Sequence, residues 1–76
     1  MNRLRRARLQ GVSDSISELI ETLRDIRDNE ENYKENMPEN LYGSERYEKA
    51  EEAVEQIEEA IELLESATES IEEAMS

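Results

Sequence analysis

The chain has 76 residues, of which 21 are Asp or Glu and nine are Lys or Arg, so its net charge is −12. A body this acidic repels nucleic acid and anionic membranes, and direct binding to either is not expected. Cys, His, Trp and Phe are absent from the sequence, which excludes disulfides, thiolate and imidazole metal ligands and the largest aromatic core residues. Because so short a chain buries only about 60% of its unfolded surface, oligomerisation is the remaining way to complete a stable core.

The first predicted element is a helix over about residues 3–32. Its apolar residues recur at alternating spacings of 3 and 4 residues, which is the heptad pattern of a helix that packs on another helix. Ile20 lies beside this row, here called the seam, and widens it. The predicted seam residues of the first helix are Leu9, Val12, Ile16, Leu19, Leu23 and Ile26.

The same helix begins with four arginines and no acid, at Arg3, Arg5, Arg6 and Arg8. Guanidinium groups bind phosphates, so the cluster is a candidate site for a signalling nucleotide. The simpler interpretation is that the arginines approach the last glutamates of a returning helix, where each exposed ion pair contributes about 0.2–1 kcal/mol. Because no long apolar segment follows the cluster, neither a secretory signal nor a membrane span is predicted.

Residues 33–44 are predicted to form a turn, because Pro38 and Gly43 interrupt helices. Ser44 is a suitable N-cap for a second helix. The turn gathers a group of large side chains that either close the end of a hairpin or form a recognition tip, with Tyr42 as the candidate tip contact. These residues are Tyr33, Met37, Leu41, Tyr42 and Tyr47.

The second helix is predicted over about residues 45–75 and consists of repeats of seven residues. Its seam begins at Tyr47 and Ala50, and Thr68 is its one polar member. An alanine column lies beside this seam and widens the apolar arc beyond the needs of a two-helix contact. The main seam residues are Val54, Ile57, Ile61, Leu64 and Ile71, and the column is Ala53, Ala60, Ala67 and Ala74.

Glutamates occupy most of the remaining positions of the second helix and predict a continuous acidic face. Such a face can mimic a phosphate backbone and occupy a basic groove on another protein. The simpler interpretation is a solvated surface that keeps a small bundle in solution. The acidic face consists of Glu48, Glu51, Glu52, Glu55, Glu58, Glu59, Glu62, Glu65 and Glu69.

The sequence predicts no catalytic, cofactor-binding or metal-binding residue. No serine has a histidine or a buried lysine to activate it, and glycine occurs only at Gly11 and Gly43, too few for a phosphate-binding loop. Carboxylate pairs such as Asp14 and Glu18 face outward, and the histidines of di-metal helical bundles are missing. The protein is therefore predicted not to be an enzyme.

Two helices of similar length joined by a short turn predict one all-α domain over residues 1–76, folded as an antiparallel two-helix hairpin. A lone hairpin leaves part of each apolar arc exposed. We therefore expect hairpins to assemble into a four-helix bundle or a larger homo-oligomer.

The turn reads NMPENL at residues 36–41 and SER at 44–46, and a helix rich in Glu, Ala and Ile follows. In these features residues 28–67 resemble a group of small acidic proteins from phages and mobile elements of Gram-positive bacteria, in which the turn reads N-[ML]-P-E-[NS]-L and then S-E-R. The resemblance covers roughly half of the chain. It implies a small accessory protein of a phage or mobile element, and it carries over no site residue. We expect such a protein in the cytoplasm of the bacterial host.

Three functions remain open from the sequence. The first is a non-enzymatic inhibitor of a host protein with a basic nucleic-acid-binding groove, similar to anti-CRISPR proteins, working through the acidic face or the tip. The second is a structural module whose function is self-assembly. The third is an oligomeric sponge for signalling nucleotides, bound by the N-terminal arginines.

Overall fold

The computed structural model describes all 76 residues, which form two long helices and one short helical turn. Helix α1 spans Arg3–Glu35, a 3₁₀ turn spans Glu39–Leu41, and helix α2 spans Glu45–Met75. The helices pack side by side along their length, so the predicted helical hairpin is confirmed. The molecule is a narrow rod of 59 × 15 × 13 Å.

Both helices begin at a polar cap. The side chain of Asn2 accepts a hydrogen bond from the backbone N–H of Arg5 at 2.8 Å, and the hydroxyl of Ser44 accepts one from the N–H of Tyr47 at 3.2 Å. These caps satisfy backbone donors that have no partner within the first turn of a helix. The N-cap predicted at Ser44 is confirmed. Helix α1 continues to Glu35, three residues beyond its predicted end, because nothing before Pro38 interrupts it.

The chain reverses direction between Asn36 and Ser44. Met37 is buried at the end of the hairpin, and Gly43 has a φ of +85°, a conformation that residues with a Cβ rarely adopt. The ring of Tyr42 lies 4.9 Å from that of Tyr47, with a tilt of 37° between the planes. The Nζ atom of Lys34 lies 5.8 Å from the centre of the Tyr47 ring. Tyr47 therefore helps to close the hairpin, whereas Tyr42 is half exposed.

The core is a single thin row of side chains between the helices. Ile20 of α1 and Ala50, Val54 and Ile61 of α2 are buried, together with the small side chain of Ser13. No large side chain is fully enclosed. A core of this size leaves a single hairpin marginally stable, because most of the apolar surface of both helices keeps some contact with water.

Helix α2 faces its neighbour with the heptad positions expected from the sequence: Val54 and Ile61 are buried, and Ile57, Leu64 and Ile71 are partly buried. Helix α1 is rotated relative to its expected seam. Its row of buried or partly buried residues passes through Ser13 and Ile20 instead of Val12 and Leu19. The residues of this row are Leu9, Ser13, Ile16, Ile20, Leu23 and Arg27.

The rotation of α1 is favoured by packing and is accompanied by one exposed ion pair between the helices. It places Ile20 and the small Ser13 in the contact between the helices. It also lets Arg24 reach across to Glu65, at 3.8 Å, while the same guanidinium donates to Glu21 at 3.0 Å. As a consequence Val12, Leu19 and Ile26 lie outside the contact, each about half exposed.

Candidate interaction surfaces

The two sides of the hairpin differ in chemistry. On one side, Ser17 and Glu21 of α1 border the same shallow groove as Glu65, Thr68 and Glu69 of α2. The groove contains one apolar residue, Ile20. This side is continuous with the glutamates of α2 and forms the acidic side of the molecule.

All nine glutamates predicted for the acidic face are exposed. The structure contains four ion pairs, and only the pair between Glu65 and Arg24 includes a member of this face. Eight carboxylates of one helix are thus left without a cationic partner. Since like charges on one face repel each other, an external basic surface would relieve a real electrostatic cost.

The opposite side of the hairpin carries most of the exposed apolar residues, although its groove near the turn is mainly charged. There, Glu30 and Tyr33 of α1 border a groove with Glu45, Arg46, Lys49 and Ala50 of α2. Residues seven apart lie on the same face of a packed helix, so these residues fix the side on which the rest of each helix is found. Counting back in sevens from Tyr33 gives Ile26, Leu19 and Val12. On α2, the residues seven and fourteen positions after Arg46 are Ala53 and Ala60. Those after Ala50 are Ile57 and Leu64, and Leu63 lies fourteen positions after Lys49.

The apolar face defined in this way includes most of the large exposed hydrophobic residues of the two helices. Leu19 is 57% and Leu63 is 65% exposed, so most of each residue is in contact with water. Soluble monomers rarely expose a continuous apolar surface of this kind, and its usual role is to bind another protein. The apolar face consists of Val12, Leu19, Ile26, Tyr33, Ala53, Ile57, Ala60, Leu63 and Leu64.

Residues 1–8, here called the N-terminal arm, project beyond the end of α2. Ser17 lies beside Thr68. Eight residues separate Thr68 from Ser76, and eight residues back from Ser17 is Leu9, so α2 ends at about the level of Leu9. All eight residues of the arm are exposed, whereas Leu9 is partly buried. At 1.5 Å per residue the arm extends by about 10 Å.

The four arginines of the arm do not meet the final glutamates of α2, contrary to the simpler interpretation of the sequence. None of them forms an ion pair, and Arg6 instead donates to the backbone carbonyl of Met1 at 3.2 Å. They cannot reach these glutamates because the first eight residues of the chain precede the contact between α1 and α2 and lie beyond the end of α2. Arg5 and Arg8 line a shallow groove with Met1, Leu9 and Val12, which continues the apolar face toward the arm.

The structure contains no group of three or more acidic side chains placed to hold a metal ion. Neither helix has a segment that is long and apolar enough to cross a membrane. No protein-family model matches the chain, and neither does any curated protein or any solved structure. The acidic face, the apolar face and the arm are the surfaces from which a function is argued.

Proposed function

We propose that this protein is a non-enzymatic binding protein that works as an oligomer of hairpins and presents its acidic face to a basic host protein. The observation that carries the proposal is the separation of most exposed apolar residues from most of the unpaired glutamates of α2 on one thin rod. The apolar face serves association between copies, and the acidic face remains outward. One hairpin can therefore contact a second copy through the apolar face and a host protein through the acidic face at the same time.

The need for a covering partner follows from the thin core. Complete burial of a Leu, Ile or Val side chain contributes about 1.5–3 kcal/mol. Val12, Leu19, Ile26 and Leu63 are each about half exposed or more. Their burial against a second copy would therefore add several kcal/mol per hairpin, enough to offset the entropic cost of association. Two hairpins stacked in this way form a four-helix bundle.

The basic host protein is inferred from charge and from the resemblance of residues 28–67 to small acidic phage proteins. Eight unpaired glutamates on one helix match a positively charged groove of the kind that binds nucleic acid. Occupation of such a groove blocks the nucleic acid, which makes the protein an inhibitor of a host defence or nucleic-acid-handling protein in the bacterial cytoplasm. Charge attraction of this kind weakens as salt concentration rises.

The test uses tagged protein, a lysate of a Gram-positive bacterium and two matched variants. The first replaces Glu55, Glu58 and Glu62 of the acidic face by Gln, and the second replaces Asp14, Glu18 and Asp25 of α1 by Asn or Gln. Wild type and the α1 variant are expected to retain a basic protein at low salt, and to lose it at high salt. The captured protein should lose nucleic-acid binding when wild type is added.

Capture that survives in the acidic-face variant would remove the role given to that face. Two alternatives have different readouts. The unpaired arginines of the arm favour a nucleotide sponge, which predicts a rise in melting temperature on addition of cyclic nucleotides. The apolar face alone favours a structural module, which predicts stable oligomers and no captured protein.

A further inference from the structure

We infer that the second copy on the apolar face runs antiparallel to the first, so that each N-terminal arm lies on the turn end of its partner. This inference rests on the proposed association through the apolar face and adds the direction of pairing. It follows from four features of the hairpin: the projecting arm, the spacing of the apolar residues, the chemistry of the two ends and the acid-free strip of α2.

The projecting arm is the first feature. It is helical from Arg3, yet the groove at its base is lined by Met1 and residues of α1 alone, and all eight of its residues are exposed. Because most of the stability of helices in proteins comes from packing, a covering surface would stabilise these two turns. If two copies pack with their turns at the same end, both α2 helices end before they reach the level of the arm. The arm is then left uncovered. If the copies run antiparallel, the turn end of the partner continues past this level and covers it.

The spacing of the exposed residues of α1 is the second feature. Val12, Leu19 and Ile26 lie seven residues apart, so the column is symmetric about Leu19. A two-fold axis near Leu19 places this residue against the partner's Leu19, and Val12 against the partner's Ile26. One further repeat in each direction places Arg5 of the arm against the partner's Tyr33.

The chemistry of the two ends is the third feature, and it is complementary. The groove at the arm contains Arg5, Arg8 and Met1 and no acid. The groove at the turn contains Glu30 and the exposed ring of Tyr33 on α1. A guanidinium over a Tyr ring and an Arg–Glu pair are both favourable contacts. The antiparallel arrangement brings these two grooves together at both ends of the bundle.

The same turn groove also contains two bases of α2, but they do not oppose the arm. In the antiparallel arrangement α1 packs on the partner's α1, and α2 packs on the partner's α2. Lys49 is already paired with Glu45 at 3.1 Å. Arg46 lies beyond the level at which the partner's α2 ends, because an axis near Leu19 places the partner's Ser76 level with about residue 56, and Arg46 stays exposed at the side of the contact.

Close approach of two acidic α2 helices is possible because one strip of this helix has no carboxylate. The strip lies on the apolar face, and in it alanines alternate with Gln56, Leu63 and Ser70. The glutamates of the two copies therefore point away from each other. Alanines at this position also allow the helix backbones to approach closely. The strip consists of Ala53, Gln56, Ala60, Leu63, Ala67, Ser70 and Ala74.

The experiment measures the distance between the two turns of the oligomer. The chain has no cysteine, so Asn40→Cys, at an exposed position of the turn, carries a single spin label. In antiparallel copies centred on Leu19 the labels are expected at about 50 Å, because sixteen residues of α1 separate Leu19 from Glu35 on each side, at 1.5 Å per residue. Copies with their turns at the same end would place them within about 20 Å, since packed helices are 8–10 Å apart.

A mixed sample controls for the position of the label. Copies labelled at Arg3→Cys, an exposed position outside the arm groove, are mixed with copies labelled at Asn40→Cys, and a short distance between unlike labels is expected. A distance near 50 Å between turns together with the short mixed distance supports the antiparallel pairing. Turns within about 20 Å of each other overturn it and leave the association intact. A labelled protein that is folded but has the mass of a single chain overturns the association itself.

Discussion

Gly43 and Gly11 show how the same residue type has opposite roles within one hairpin. Gly43 has a φ of +85° in the turn, where a Cβ atom is disfavoured by about 1–2 kcal/mol. Gly11 lies in the interior of α1, and a Cβ atom built there meets nothing within 4 Å. In a helix, alanine is more favourable than glycine by roughly 0.5–1 kcal/mol.

The two glycines give a matched pair of variants. Gly43→Ala is expected to lower the free energy of unfolding by about 1–2 kcal/mol, and Gly11→Ala to raise it by about 0.5–1 kcal/mol. Thermal or urea unfolding followed by circular dichroism measures both at equal protein concentration. An increase in stability for Gly43→Ala would show that the turn does not require the left-handed conformation.

Ile61 and Leu63 are neighbours in sequence that lie on different surfaces. Ile61 is 4% exposed in the contact between the helices, and Leu63 is 65% exposed on the apolar face. Ile61→Asp buries a charge without a partner, which costs about 3–5 kcal/mol, and we expect the helical signal to be largely lost. Leu63→Asp is expected to keep far more of it at the same concentration. Equal losses would contradict the assignment of these residues to different surfaces.

At the scale of the helices, the heptads of α2 could be read directly from the sequence. All members of the row from Tyr47 to Met75 except Thr68 are apolar or aromatic, so the row indicates one face without ambiguity. In α1 two apolar rows overlap, one through Leu19 and one through Ile20. Which row meets α2 depends on the small Ser13 and on the reach of Arg24, and this choice is set by tertiary packing rather than by periodicity.

The proposed contact between the arm and the partner's turn end predicts how charge reversal in the arm changes dimerisation. Arg5→Glu with Arg8→Glu places acids in the arm groove, against the partner's Glu30, and is expected to weaken dimerisation about tenfold, because four exposed contacts of a few tenths of a kcal/mol are lost or reversed. Arg3→Glu with Arg6→Glu makes the same change in net charge outside that groove and serves as the control. Sedimentation equilibrium measures the dissociation constants.

Equal weakening in the two double variants would mean that only the net charge of the arm matters. A further variant combines Arg5→Glu and Arg8→Glu with Glu30→Arg. Because it restores opposite charges across the contact, its dissociation constant is expected to move back toward the wild-type value. Failure of this rescue would contradict the contact between the arm and the turn end.

At the scale of the whole molecule, the hairpin and the charged faces follow from the sequence, but the projection of the arm does not. The projection depends on the number of residues in the turn and on the level along α1 at which α2 ends. The heptad pattern predicts neither quantity. The simpler interpretation, in which the first arginines meet the last glutamates, assumes helices of equal reach. The structure instead gives α1 about two extra turns, and this difference makes the two ends of the hairpin complementary.

The central claim is that copies of the hairpin associate through the apolar face, and the mass in solution tests it most directly. Light scattering on wild type is expected to give at least about 18 kDa, twice the 8.9 kDa of one chain. Leu19→Asp, on the apolar face and outside the contact between α1 and α2, is expected to reduce the mass to that of one chain and to lower its stability. A helical wild-type protein of 8.9 kDa, or a Leu19→Asp variant of unchanged mass, would contradict the claim.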